Sequence, residues 1–239
     1  MKHANEESIK NHKKEFEIEL LTDYDMYMFV EKNIRGGLSQ ISKRYAKANH
    51  KDLATYDDTK IDEFILYLDA NNLYGGGMVS YLPQKNIKWN FQEWTIDMIK
   101  NLDDKGNKGY MFEVDLHYPK ELHDLHNGYA LAVENKLVKN DMLNDWQTKD
   151  RKEATIGKLV TSFHDKIKYG VNYRLLKFYI EQGLVITKIH RVLEYNQSNY
   201  MESYIMKNTN ERTFAKNDFE KDFYKVMNNS VYGKTMENV

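Results

Sequence analysis

The apolar residues of this chain come in short runs, and that brevity constrains the fold more than any other feature. Phe64-Ile65-Leu66-Tyr67-Leu68 is bounded by polar residues on both sides. Tyr110-Met111-Phe112-Glu113-Val114-Asp115-Leu116 alternates and meets Pro119. No run approaches the ~18 residues that would cross a membrane, and there is no heptad array or internal repeat. Short runs of aromatic and branched residues read as strands. We therefore expect a buried strand over Phe64–Leu68, a second over Tyr110–Leu116 stopped by Pro119, a third over Lys158–Phe163 and a long one over Leu184–Tyr195. Helical spacing marks other segments. Thr22 can cap a helix through Asp25, Met26, Phe29 and Val30, closed at Asn33-Ile34-Arg35-Gly36-Gly37 by glycines free to take positive φ. A short helix after Asp69 is weakened by Gly75-Gly76-Gly77 and stopped before Pro83. Asn172–Gln182 pairs Leu175 with Tyr179 and ends at Gly183. Asn199 with Glu202, and Asn217 with Glu220, are capping-box patterns opening helices over Tyr200–Lys207 and Asp218–Thr235. Strands and helices do not alternate regularly, so the expected class is α+β with a mixed sheet.

Composition excludes several chemistries. The chain has 239 residues, enough for one large or two small domains, with 41% hydrophobic and 30% charged residues. A mean hydropathy of −0.76 fits a folded chain with a polar surface. With no cysteine, disulfides, thiolate zinc sites and a cysteine nucleophile are excluded, and a reducing compartment fits. Met1–Lys14 is polar and reads as no secretory leader, so a nuclear or cytoplasmic protein without membrane attachment is expected. A net charge of −1 gives no sign of nucleic acid. The 18 tyrosines scatter rather than cluster, which fits AT-rich codon usage better than a stacking surface.

Two places carry candidate chemistry. Asp69 follows the apolar run directly, and a carboxylate at the end of a buried strand is a rigid Mg²⁺ ligand. An aspartate there equally serves as a cap or turn residue. In the last helix Lys225, Asn229 and Tyr232 fall at i, i+4 and i+7 and share one face. Lysine binds phosphate as a point charge, an amide hydrogen-bonds, and a ring stacks on a base. Phe219, Phe223, Val226 and Met227 would anchor that helix to the core. His123 and His126, with His117 nearby, could form a metal site or make local hydrogen bonds. Glu134–Lys177 holds ten basic residues against six acidic ones, with Arg174 and Lys177 the best candidates for phosphate contact; a solvated face is the plain alternative.

Asp69-Ala70-Asn71-Asn72-Leu73-Tyr74-Gly75 resembles motif A of family B DNA polymerases, and Lys225-Val226-Met227-Asn228-Asn229-Ser230-Val231-Tyr232-Gly233 resembles their motif B, in the right order. Arg35-Gly36-Gly37 looks like the Gly-Gly motif that joins exonuclease to polymerase domain in protein-primed members. From about Leu20 to Val239 the chain is similar to the polymerases of Maverick/Polinton mobile elements and related viruses. The resemblance implies a palm–fingers fragment: an N-terminal helix and connector at 1–38, a palm portion with a basic insertion at 39–195, and fingers helices at 196–239. It implies a DNA-directed DNA polymerase that transfers a nucleotide from a dNTP to a primer hydroxyl by a two-metal mechanism. Asp69 and the Ala70 carbonyl would bind Mg²⁺ or Mn²⁺. Leu73 and Tyr74 would lie beside the incoming nucleotide, with Tyr74 under its sugar. Lys225 would hold the triphosphate, and Asn229, Tyr232 and Gly233 would line the nascent base pair. Arg35, Gly36 and Gly37 would touch the template. Primer-template DNA and dNTP are the implied partners, with a terminal priming protein left open.

The departures are Asn72 for the motif A serine, Gly75 for its proline, and Ile34 for an aromatic residue before the Gly-Gly pair. No Asp-Thr-Asp motif C follows Gly233. One aspartate does not complete a two-metal centre, so this chain alone is expected not to polymerise DNA and to expose apolar surface meant for further palm strands. The alternatives are a catalytically dead mobile-element remnant acting at most as a DNA-binding module, and a plain α+β interaction domain.

Overall fold

The computed structural model describes residues 17–149 and 155–235, and Met1–Lys14 and the basic pair Arg151 and Lys152 fall outside them. Its elements run α1 (Tyr24–Asn33), α2 (Leu73–Met78), β1 (Leu82–Asn90), α3 (Ile96–Lys100), β2 (Lys108–His117), β3 (Glu134–Lys136), α4 (Asp145–Thr148), β4 (Lys158–Val160), β5 (Lys166–Asn172), α5 (Tyr173–Glu181), β6 (Val185–Ser198), α6 (Glu202–Phe214) and α7 (Asp218–Thr235). One four-stranded sheet has the order β1-β6-β2-β5, every pair antiparallel, and β3 pairs separately with β4. The class is α+β, as expected, with the sheet antiparallel rather than mixed. No described helix is long and apolar enough to cross a membrane.

The alternation of β2 builds two faces. Phe112, Val114 and Leu116 are fully buried against Val171, Tyr173, Leu176, Tyr179 and Ile99, so α5 covers that side. The opposite face carries Glu113, whose carboxylate accepts from Arg191 Nε and Nη2 at 3.1 and 3.2 Å. Arg191 also reaches Asp25 of α1 at 3.1 Å and lies over the Phe29 and Trp89 rings. The helix α1 therefore crosses this second face through Phe29, which is buried edge-on to Trp89.

Several local expectations need correction. Phe64–Leu68 forms no strand; Glu63 makes one isolated bridge to Asn49, and the run beyond it is exposed, Tyr67 by 94%. No described strand lies beside it, and an extended run without a partner does not hold as a strand. The α1 cap is Asp23, whose carboxylate accepts from Met26 N, rather than Thr22. That helix closes at Ile34 in extended backbone, with neither Gly36 nor Gly37 at positive φ. In α5 the buried residues are Tyr173, Leu176 and Tyr179, leaving Leu175 exposed. Gly183, at φ 95°, ends that helix with the two paired bonds of a Schellman cap. The strand expected over Lys158–Phe163 shortens to β4. The helix expected over Tyr200–Lys207 starts later and runs on to Phe214; Asn199 donates to the Glu202 carboxylate without capping α6. Two strands have no counterpart in the sequence reading, although Ile167, Tyr169 and Val171 of the second alternate. β1 is an edge strand with Pro83 near its start, and β5 begins on a buried lysine.

The ion pairs of the sheet set a pH dependence. Burial pushes the Glu194 carboxyl up, but Lys108 at 2.8 Å, the Asn90 amide and Lys88 outweigh it and hold it below the usual range. Asp115 is held low chiefly by the Lys168 N–H, with His190 adding to it. A carboxyl lowered in the folded state stabilises above its unfolded value of about 4, and that contribution fades as pH falls through the folded value. We expect urea midpoints that are level near neutrality and fall below about pH 4. Glu194→Gln should be less stable at neutrality with a shallower acid limb; an unchanged limb would show that this pair contributes nothing.

Candidate functional site

Asp69 begins a turn into α2. Asn72, at the N-cap, sits in left-handed backbone (φ 56°, ψ 46°), which asparagine tolerates better than most residues. Its side chain folds over the first turn. A Cβ on Gly75 would lie 2.1 Å from Asn72 Nδ2 and 2.5 Å from its Cγ. The two departures from the motif A pattern are thus one local solution: the amide of Asn72 fills the space that any larger residue at 75 requires.

The helices α6 and α7 pack on each other through buried Tyr204, Ile205 and Val231, flanked by Met78, Val79, Met201 and Met227. A polar lock completes the seam. Asn208 Nδ2 donates to the buried Asn228 Oδ1 at 3.0 Å, and Asn228 Nδ2 donates to Thr209 Oγ1 at 3.3 Å. Phe219, Phe223 and Val226 were expected to anchor α7, but they stay exposed, Phe219 by 80%. The seam runs along Met227, Asn228 and Val231 instead, a face disguised by its buried amide. Asn217 does cap α7: its Oδ1 accepts from Glu220 N at 2.9 Å and its amide reaches the Glu220 carboxylate.

This packing sets α2 against α7. Asp69, Ala70, Leu73 and Tyr74 on one wall share a cavity of about 620 Å³ with Lys225 and Asn229 on the other. Tyr74 of the lining stacks on Tyr232 of α7 with centroids 4.3 Å apart. Gly233 is exposed one residue further on, with open space where a Cβ would be. The residues of the two motif segments thus meet in space. The cavity adds Arg212 of α6, which sequence reading missed. Its only signal was a basic residue one helix before Lys225. Asp69 is the single carboxylate in the lining, and among the described residues no group of three or more His, Cys, Asp or Glu side chains could hold a metal. The donors present do not fit a complete two-metal centre.

The other candidates lie elsewhere. Arg35, Gly36 and Gly37 border a separate cleft. Arg35 turns inward, donating to Gly170 O at 2.8 Å with its guanidinium 3.9 Å from the Tyr169 ring centroid. Arg174 and Lys177 do not present free cations. Arg174 Nη2 donates to Tyr81 O at 2.9 Å, Asp104 O at 2.8 Å and Gln197 Oε1 at 3.2 Å. Lys177 Nζ donates to Leu102 O at 2.7 Å and pairs with Asp104. Both clamp the turn before β2, so their polar atoms are engaged within the chain. The histidines make local contacts: Tyr118 OH lies 2.7 Å from His126 Nδ1, His123 stacks on Phe163, and His117 pairs with Asp165.

No family model matches the sequence, and no curated protein does. A crystal structure of Phi29 DNA polymerase shares the fold, with a TM-score of 0.51 over 98% of this chain and 14% identity. The fold matches part of a DNA polymerase. The chain spans 36% of that polymerase's length. A second structure, Phi29 DNA polymerase complexed with primer-template DNA and incoming nucleotide substrates, aligns at a TM-score of 0.48 and 16% identity over 97% of this chain.

Proposed function

We propose that the protein is a palm–fingers portion of a family B DNA polymerase of the protein-primed kind, of which the Maverick/Polinton enzymes are the sequence type it resembles. The observation that carries the reading is the shared cavity, because two segments far apart in sequence meet there with the right chemistry. Lys225 and Arg212 supply cations for a triphosphate. Tyr74, backed by the stacked Tyr232 ring, supplies an aromatic surface for the sugar. Asp69 and the Ala70 carbonyl would contribute oxygen ligands to a Mg²⁺ or Mn²⁺ ion shared with substrate phosphates. That ion would supply charge stabilisation at the transferred phosphoryl group. A further carboxylate is needed for two ions, so no metal-dependent step is assigned to this chain by itself. Primer-template DNA and dNTP are the proposed partners. The exposed Phe64–Leu68 run fits a strand that pairs with polymerase segments other than those described here.

The test is dNTP binding, followed by quenching of tyrosine and tryptophan fluorescence. We expect saturable quenching that weakens at least about tenfold in Lys225→Ala and in Arg212→Ala, the equivalent of roughly 1.4 kcal/mol each. Unchanged affinity in both variants would remove the cavity from consideration as a nucleotide site. The purified 239-residue chain is expected not to extend a primer with Mg²⁺ or Mn²⁺; extension abolished by Asp69→Ala would overturn that. The single carboxylate keeps a second reading in play, a catalytically dead DNA-binding module, which predicts DNA binding without dNTP binding.

A further inference from the structure

We propose that the open half of β6, residues 185–191, takes up an extended segment of a partner protein as an added strand, apolar on one face and acidic on the other. The proposal is independent of the nucleotide reading, since it uses no residue of the cavity that holds Asp69 and Lys225.

The sheet leaves a gap there. β6 pairs with β2 from Val185 to Asn196 on one side, but β1 flanks its other side only from Val192 to Ser198. Among the described residues no strand lies beside 185–191 on that side. Alternate strand residues turn their N–H and C=O groups to each side, so this half presents backbone donors and acceptors without a ladder partner. The chain cannot fill the gap by prolonging β1. Asn90 Oδ1 accepts from Gln92 N at 3.0 Å and from Trp94 Nε1 at 3.2 Å, which pins a turn, and Thr95 Oγ1 then caps α3 by accepting from Met98 N at 3.2 Å. A cavity of about 870 Å³ lies between that turn and β6. The outer strands of the sheet are treated differently. On β1, Gln84 O accepts from Glu19 N at 2.8 Å and Asn86 N donates to the Glu19 carboxylate. On β5, Gly170 is held by Asn33 and Arg35. An uncovered stretch in a sheet whose outer strands are covered is a place for strand addition.

Its two rims differ in chemistry. Register shifts in the β2–β6 ladder set Ile186, Ile189 and Val192 opposite Leu116, Val114 and Phe112, on the core face. Ile186, Ile189 and Trp94 are only partly buried, and Ile96 and Phe91 of the lining are exposed, Phe91 by 91%. This rim suits apolar side chains at alternate positions of an incoming strand. The other face carries Lys188 opposite Asp115 and Arg191 opposite Glu113. Arg191 is shared between Glu113 and Asp25, and His190 pairs with Asp115. Lys188 is exposed and forms no ion pair among the described residues. Of the two acids in the lining, Asp25 is taken up by Arg191, and Glu93 belongs to the turn rather than to β6. An acidic residue across from Lys188 therefore complements this edge, and a basic one is repelled. A nucleic-acid strand has no peptide groups with which to complete the ladder.

Binding of a fluorescein-labelled octapeptide that alternates valine and glutamate, read by anisotropy on the full chain, tests this. We expect saturable binding, with slowed amide hydrogen exchange confined to segments covering 89–96 and 185–191. The fully N-methylated peptide, which has no N–H to donate, should not bind. Phe91→Ser and Lys188→Glu change exposed side chains and leave the core untouched. Each should weaken binding at least about fivefold, the first through lost rim contact and the second through like-charge repulsion. Lys188→Glu should in turn accept a peptide that alternates valine and lysine. No binding of the valine–glutamate peptide, equal binding of its N-methylated form, wild-type affinity in both variants, or protection elsewhere in the chain would each overturn the proposal. So would self-association of the free chain that protects the same amides, which gives the edge to a second copy, or displacement of the peptide by oligothymidylate, which gives it to nucleic acid. Failure of dNTP binding would count against the polymerase reading alone.

Discussion

Arg174→Ala is expected to destabilise the protein by about 2–4 kcal/mol while leaving DNA affinity unchanged below the unfolding transition, because hydrogen bonds from a charged donor are worth roughly 1.5–3 kcal/mol and their loss orphans the acceptors. The guanidinium joins three parts of the chain: Tyr81 before β1, Asp104 in the turn before β2, and Gln197 near the end of β6. Its Nε also donates to Tyr173 OH at 3.1 Å, and Gln197 Nε2 donates to the same hydroxyl at 2.9 Å. Tyr173 is fully buried, so removal of the arginine leaves polar groups stranded at the edge of the core. Arg174→Lys should recover little of the loss, since a point charge cannot reproduce a planar fork that serves several carbonyls. Urea denaturation gives the stability and anisotropy gives the affinity. The reverse result, intact stability with weakened DNA binding, would restore Arg174 as a phosphate contact.

Arg174 also shows what sequence can and cannot display. A basic residue at the start of a helix, within a basic region, reads as a candidate for phosphate; only the fold reveals that three carbonyls already claim it. Elements with strong periodic signal were legible. β2 follows its alternation, α5 its glycine stop, and α7 its Asn217–Glu220 cap. Where polar residues carry the structure, the signal fails. β1 is held by ladder bonds that leave little apolar pattern, whereas β5 does alternate at Ile167, Tyr169 and Val171, a signal interrupted by its lysines and overlooked. The α6–α7 seam is locked by Asn208 and Asn228, which look like surface residues on paper. The Phe64–Leu68 run fails in the opposite sense, since its composition is that of a strand but pairing depends on a partner the described chain does not provide. For the site, the motif spacing named Asp69, Ala70, Leu73, Tyr74, Lys225 and Asn229 of the cavity lining, but could not reach Arg212, whose place follows from the packing of α6 on α7.

Gly170→Ala is expected to cost about 3 kcal/mol, combining overpacking of about 1–3 kcal/mol with strained or lost buried hydrogen bonds. A Cβ at 170 would fall 2.0–2.2 Å from the carbon, nitrogen and oxygen of the Asn33 amide. That amide cannot swing aside at little cost. Asn33 is buried, its Nδ2 donates to Phe29 O at 2.6 Å, and its Oδ1 accepts from Gly170 N at 3.1 Å. Moving it breaks the contact that seats the end of α1 on β5, and with it the Arg35 bond to Gly170 O. A double-mutant cycle isolates the cause. In an Asn33→Ala background the same Gly170→Ala change should cost under about 1 kcal/mol, giving a coupling of roughly 2 kcal/mol between the two positions. Equal penalties in both backgrounds would mean that the clash lies elsewhere and that α1 does not rest on β5 through this pair.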